Sequence, residues 1–293
     1  MKEKISVFMV LAAAALWGCI GIFVRHLNEF GLDAMQITAS KCLVNGGMML
    51  LLLLVTDREK LKIQKRDAGW FLANGILSIY VFNTAYHAAI SLIPMSTAVV
   101  LLYTAPAFVM LLSVVFFGER FTWMKGLCLV LCVGGSALVS GLGTAAGGLS
   151  GPGLLLGLVS GIGYALYSIF SGVIVRKYHP FTNVCYTFLI AGTAAALSCD
   201  MGEALGIASG SGEAMCWMLL NGILTSFIPY ISYTTALRYM NPSKAAILAT
   251  LEPVVATLAG ILLYGESMTF MSGVGVFMVF VALVLSNLPP RTA

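Results

Sequence analysis

The chain has 293 residues, 59 % of them hydrophobic and only 10 % charged, with a mean hydropathy of +0.96. Soluble domains average about 25 % charged residues, so this composition excludes a soluble domain and defines an integral membrane protein. The net charge of +4 points to no nucleic-acid partner, and no glycine-rich phosphate loop follows a predicted strand.

Ten apolar runs follow in chain order, each near the ~20 residues that a crossing helix needs. They are Ile5–Val24, Ala34–Val55, Gly69–Ile90, Met95–Phe117 and Trp123–Leu142, then Gly153–Val175, Phe181–Cys199, Ala214–Leu237, Pro242–Tyr264 and Phe270–Leu288. The first run follows Lys2 and Lys4 but has no good cleavage site, so it reads as a span and not a signal peptide. With the N terminus placed in the cytoplasm, every basic residue except Arg25 and Lys41 falls in an inside segment. That bias fits the positive-inside rule with both termini cytoplasmic, in a cell (inner) membrane. The run Asp57–Asp67 reads as a solvated loop, with attraction to anionic lipid as the alternative. The segment Asp200–Glu213 reads as an acidic outer loop.

The seven cysteines, among them Cys199 and Cys216, make no zinc or CxxC pattern and read as apolar packing residues. No cofactor or metal is expected. The acids and histidines show no HExxH or GxSxG spacing, so an intramembrane enzyme is disfavoured. No obvious selectivity filter argues for a channel.

A shift of 147 residues brings Trp70 to Leu77 (WFLANGIL) onto Trp217 to Leu224 (WMLLNGIL). The same shift lays Tyr86 on Tyr233, Pro106 on Pro253 and Gly118-Glu119 on Gly265-Glu266. Ala15-Leu16-Trp17 matches Ala165-Leu166-Tyr167 at a shift of 150. The chain therefore divides into a first five-helix repeat (1–142), a linker (143–152) and a second repeat (153–293). Five is odd, so the repeats enter the membrane from opposite sides. The expected fold is all-α, with ten transmembrane helices as two inverted five-helix repeats. Such repeats place a substrate site near mid-membrane between the halves.

The candidate site starts from two intramembrane charges, Lys41 and Glu252. A carboxylate at mid-bilayer costs roughly 2.5–3.5 kcal/mol on insertion scales, and such residues are functional candidates by default. Pro253 is expected to remove the hydrogen bond to the Ala249 carbonyl and kink the helix beside that charge. Three readings of the pair stay open: contacts to the two ends of a zwitterion, proton exchange at one member, or a structural bridge. His87 reads as a packing residue or a proton-coupling group. Trp17, Tyr80, Asn83, Tyr86, Tyr103, Tyr164 and Tyr167 supply aromatic and polar groups for a cavity wall. Pro106, Pro253, Glu119 and Glu266 are assigned to helix kinks and gates. Gly153, Gly157 and Gly161 form a small-residue face, read as packing inside the bundle over a dimer interface. A lone cavity base disfavours phosphorylated substrates.

Leu16-Trp17-Gly18, Tyr103-Thr104-Ala105-Pro106 with Gly118-Glu119, and Leu251-Glu252-Pro253 with Gly265-Glu266, set in five-helix repeats, resemble the EamA family of the drug/metabolite transporter superfamily. The resemblance covers essentially the whole chain. It implies ten helices around a central cavity, cytoplasmic termini, and movement of amino acids or other small metabolites, often outward. Second spans in this family often carry Arg where this chain has Lys41, and Lys lacks the planar fork for bidentate contacts. The expected function is a secondary exporter working by alternating access, with a proton-coupled drug or amine efflux transporter as the alternative. The expected partners are a small-molecule substrate and the lipid bilayer, in a monomer or weak homodimer.

Overall fold

The computed structural model describes residues 2–139, 150–265 and 269–287, and within them it is all helix, without a strand. The linker residues 143–149 and Glu266 lie outside the described residues. Each apolar run falls on helix. The first is α1 (Lys2–Gly18) and α2 (Ile20–Glu29), and the second is α3 (Ala34–Thr56). The third is α4 (Ala68–Gly75) and α5 (Phe82–Ile90), joined through a π-helical turn, Ile76–Val81. The fourth is α6 (Met95–Leu102) and α7 (Ala105–Phe117), and the fifth is α8 (Trp123–Val139).

The second half follows the same plan. The sixth run is α9 (Gly151–Ile174) and the seventh α10 (Pro180–Ala196), followed by a short α11 (Met201–Gly210). The eighth is α12 (Gly212–Asn221) and α13 (Ile228–Ala236) around a second π turn, Gly222–Phe227. The ninth is α14 (Pro242–Ala249) and α15 (Leu251–Tyr264), and the tenth is α16 (Phe270–Asn287).

Seven of these, the first, second, fourth, sixth, eighth, ninth and tenth, are long and apolar enough to cross a membrane. The pair α10 and α11, bent by 100°, makes an eighth candidate. The third run, which carries a π turn as the eighth does, and α8, with 17 residues, are not among them. The acidic segment after Asp200 is helix and not loop, because Asp200 caps it by accepting from the Glu203 N–H at 3.0 Å. All seven cysteines are free thiols.

Local chemistry sets the ends. Asp33 and Gln36 close a reciprocal capping box at the start of α3, with bonds of 2.8 Å in each direction. Gln36 Nε2 also donates to the Asp200 carbonyl and to Glu203 at 2.9 Å, tying α3 to α11. Gly118 (φ 64°) and Gly265 (φ 66°) end α7 and α15 in the left-handed conformation that favours glycine. These two residues are 147 apart, and the two π turns that start at Ile76 and Gly222 are 146 apart.

Packing between the halves is reciprocal. α3 lies against α10 and α8 against α16. The first run packs on α13 and α15, as α9 packs on α5 and α7. Glycines set the closest approaches. A Cβ on Gly46 would stand 2.8 Å from the Leu189 nitrogen, and one on Gly192 would stand 2.9 Å from the Leu43 nitrogen. A Cβ on Gly135 would meet the Gly275 carbonyl at 2.7 Å, and one on Gly275 the Gly135 carbonyl at 2.5 Å. Backbone contact of this kind holds helices together in lipid, where burial of apolar surface supplies no drive. The face of Gly153, Gly157 and Gly161 meets Ile93, Leu101 and Thr104 of the same chain.

A candidate substrate site around Glu252

The ninth run breaks before Glu252, not after it. α14 ends at Ala249, and the Thr250 hydroxyl turns back to donate to the Ile247 carbonyl at 2.6 Å. α15 then starts afresh at Leu251, which puts Glu252 in its first turn. Free N–H groups and the helix dipole favour a carboxylate there. Pro253 is the third residue of the new helix, where no donor is needed. Pro253 has no N–H to give the Ala249 carbonyl, and the helix is interrupted at Thr250, next to that carbonyl. The pseudo-equivalent break separates α6 from α7 at Tyr103 and Thr104, with Pro106 in the first turn of α7.

The Tyr164 hydroxyl donates to Glu252 Oε2 at 2.9 Å, and the Tyr103 phenol lies beside the same carboxylate. Trp17 packs edge-on to Tyr164 and Tyr230, with ring centroids 6.5 and 5.0 Å away, and against Tyr233 at 5.4 Å. Tyr167 meets Tyr230 at 4.9 Å, and its hydroxyl shares a 2.6 Å hydrogen bond with Thr234. These rings and Pro106, Ala165 and Ser168 enclose a cavity of only about 20 Å³, room for about one water. The chamber is collapsed on itself. The Trp17 Nε1–H is buried without a partner among the described residues, a donor left over inside the aromatic wall.

Lys41 is half-buried on α3, and its ammonium has no hydrogen-bond or ion-pair partner among the described residues. Its field reaches Glu252, yet the two form no ion pair. The structural-bridge reading is therefore absent from this conformation. Near Lys41, the Thr38 hydroxyl lies 3.5 Å from Asn83 Oδ1 and 3.4 Å from His87 Nε2. His87 Nδ1 is buried without a partner, and the His87 ring stands 6.1 Å from that of Tyr86.

The structure thus gathers Trp17, Tyr164 and Tyr167 at the cavity, sets Glu252 against Tyr164 and Tyr103 with Tyr86 nearby, and places Asn83 and His87 beside Thr38, one turn from Lys41. Tyr80 does not join them. Its hydroxyl pairs with Ser198 at 2.7 Å just beyond α10, because the π turn carries it off the face shared by Asn83 and Tyr86. Glu119 sits at the end of α7 and meets Lys125 at 2.5 Å. Tyr230 and Phe188, with centroids 4.5 Å apart, belong to the aromatic wall and stood outside the sequence set. A signal for Tyr230 existed: at the shift of 147 it falls on Asn83.

Helices of this length and hydropathy define a multi-pass membrane protein. The profile of the EamA-like transporter family matches the chain twice, over residues 4–141 and 151–288. The chain belongs to the EamA-like transporter family. An uncharacterized transporter of Archaeoglobus fulgidus is 27 % identical over 281 residues, 94 % of each chain. Another, from Bacillus subtilis, is 23 % identical over 97 % of this chain and 90 % of its own. A probable terminal-alkyne amino-acid exporter of Streptantibioticus cattleyicolor is 25 % identical over 59 % of this chain and 58 % of its own. A solved crystal structure shares the fold with a TM-score of 0.81, over 96 % of both chains at 16 % identity.

Proposed function

We propose that the protein is a secondary transporter, and in direction an exporter, of small organic metabolites such as amino acids. Ten helices in two inverted repeats (1–142 and 153–293, joined by 143–152) form the moving parts, and the chamber between them is the substrate site. Both termini face the cytoplasm, the membrane is the cell's inner one, and no catalytic step or cofactor is involved. The working unit is a monomer or weak homodimer.

One observation carries the substrate class. A carboxylate held by tyrosines and a lysine with no partner among the described residues lie near enough for each to feel the other's charge, yet they form no ion pair. Two uncombined charges of opposite sign suit the ammonium and carboxylate of a zwitterion, which would complete both. The aromatic wall supplies apolar contact and rings whose electron-rich faces can take the ammonium. The name of the Streptantibioticus relative supports amino acids and export.

The test is thermal stabilisation of purified protein by amino acids, amines and carboxylates, repeated with Glu252→Gln and Lys41→Met. A ligand present at 100 times its Kd stabilises by about 2.7 kcal/mol. Zwitterions should stabilise the parent, and each variant should lose that effect while remaining folded. Stabilisation by amines alone, untouched by Lys41→Met, would favour the amine efflux reading. Stabilisation by zwitterions in both variants would remove the site from this chamber.

A further inference from the structure

Two arginines stand over aromatic rings at positions that the internal repeat relates. The Arg25 guanidinium lies 4.0 Å from the centroid of Tyr264, and that of Arg176 lies 4.5 Å from the centroid of Phe117. Phe117 and Tyr264 are 147 residues apart, and each directly precedes a left-handed glycine that ends its helix. Arg25 and Arg176 are 151 apart, one more than the shift that relates Trp17 to Tyr167. Each contact joins the first run of one half to the fourth run of the other: α2 to α15, and the end of α9 to α7.

The Arg176 contact lies beyond the chamber at the end of α9, and the Arg25 contact lies at the far end of α15 from Glu252. Along α9, Ala165 and Ser168 line the cavity, and Gly172 comes next on that face. A Cβ at Gly172 would stand 2.9 Å from Phe117 Cζ and 3.2 Å from Pro242 Cγ, so the route is closed there. Beyond the seal opens a vestibule of about 680 Å³, lined by Phe117, Arg176, Arg238 and Asn241. The contact of Arg176 with Phe117 thus holds the wall between chamber and vestibule. At the other end, Gly18 is pressed against the Glu252 carbonyl and Val255, closing α1 on α15 below the Arg25 contact. Arg25 is also the one base in segments read as external, a place the positive-inside rule leaves to few bases.

We propose that the two cation–π contacts are paired latches of the transport gates, Arg176 on Phe117 at the inner mouth and Arg25 on Tyr264 at the outer one, released alternately. This rests on the alternating-access reading. The present structure has both latched, which agrees with its collapsed chamber. Arg25, Tyr264, Arg176 and Phe117 are positioning residues: they set which door is shut and need not touch substrate. A cation–π contact is strong enough to bias a two-state equilibrium and weak enough to break in each cycle.

The test uses the full chain with its native cysteines replaced and one cysteine at Ser168, inside the chamber. Oriented proteoliposomes are exposed to a membrane-impermeant thiol reagent from each side in turn. Arg176→Gln and Phe117→Leu should raise the inner labelling rate roughly two- to thirty-fold, the worth of one such contact, and lower the outer rate. Arg25→Gln and Tyr264→Leu should do the reverse, and Tyr264→Phe, which keeps the ring, should match the parent. The leucine variants reach each contact from the other partner, should an arginine variant fail to fold. A parent labelled from both sides, with rates that none of the variants changes or that all change alike, overturns the latches and leaves alternating access standing. A parent labelled from one side only, with and without substrate, overturns alternating access and the latches with it.

Discussion

Gly18 and Gly21 lie one turn apart in the first run, and the same substitution should act oppositely at the two. A Cβ at Gly18 would stand 2.6 Å from Val255 Cβ and 2.7 Å from the Glu252 carbonyl, whereas one at Gly21 would meet nothing within 4 Å. Ala is favoured over Gly in a helix by about 0.8–1.0 kcal/mol, so Gly21→Ala should be neutral or slightly stabilising. At Gly18 that gain is opposed by overpacking, which costs roughly 1–3 kcal/mol. One of the clashing atoms is backbone and cannot rotate away, so the helices must separate and the overpacking term wins. Separation moves the first turn of α15, and with it the carboxylate that Tyr164 holds. Gly18→Ala should therefore lower the melting temperature, by roughly 2–4 °C per kcal/mol, and weaken binding of whichever ligand stabilises the parent. Melting curves with and without that ligand check both effects. Gly18→Ala matching Gly21→Ala in stability and in ligand response would refute the close α1–α15 contact.

Trp17→Phe removes a buried donor that has no partner among the described residues, so it should leave folding stability intact while weakening ligand binding roughly two- to twelve-fold, the worth of one neutral hydrogen bond; titration of the folded variant checks it. Asn74→Ala should cost roughly 1–3 kcal/mol in unfolding assays, because Asn74 Nδ2 donates to Ser171, Asn183 and Thr187 at 3.0–3.2 Å inside the bundle. Outside the spans, Lys177 and then Tyr178 bond to Asp67 and hold its carboxyl below its ordinary value of 3.8. A carboxyl lowered in the folded state contributes stability that is fully present above the ordinary value and is lost as pH falls through the folded one. Melting temperature should thus drop below about pH 4 in the parent, and Asp67→Asn should be less stable at pH 7 with a shallower acid limb.

The apolar runs located the long helices but not α11, because in lipid a backbone must satisfy its own hydrogen bonds and only long apolar stretches do so as helices. It could not place the breaks within them. Thr250 ends α14 through a side-chain bond to Ile247 that carries no hydropathy signal, and the π turns after Gly75 and Asn221 lie in unbroken apolar sequence. Glu252 and Lys41 were legible as candidates because charge in a span is costly. That they come near each other without pairing depends on how α3 and α15 are placed in the bundle, which no single stretch encodes. Tyr80 shows the limit from the other side: its residue type fitted a cavity wall, but the π turn rotated it toward Ser198. Tyr230 was hidden for the opposite reason, since its repeat mate Asn83 differs in size and chemistry.

The symmetry of the chain holds at contacts that close the molecule and fails at contacts that face the chamber. Gly46 and Gly192 approach each other's helices by nearly the same distance, and the left-handed glycines and arginine–aromatic pairs recur in both halves. Around the chamber, Glu252 stands opposite Ala105, His87 opposite Thr234, Asn83 opposite Tyr230 and Tyr103 opposite Thr250. A scaffold whose halves exchange conformations must close equally well in both states, so its joints are held alike. A small asymmetric solute has one carboxylate and one ammonium, and a site with each charge duplicated would leave buried groups unpaired at a high cost. The charged and hydrogen-bonding differences at Glu252, His87 and Tyr103 suit a repeat scaffold that holds an asymmetric solute. By that logic, Ala105→Glu, which restores the acid in the first half, should weaken zwitterion binding more than Ala107→Glu two residues away on the same helix. Equal loss at both positions would mean that charge anywhere on α7 is harmful and that the chamber's asymmetry carries no specificity.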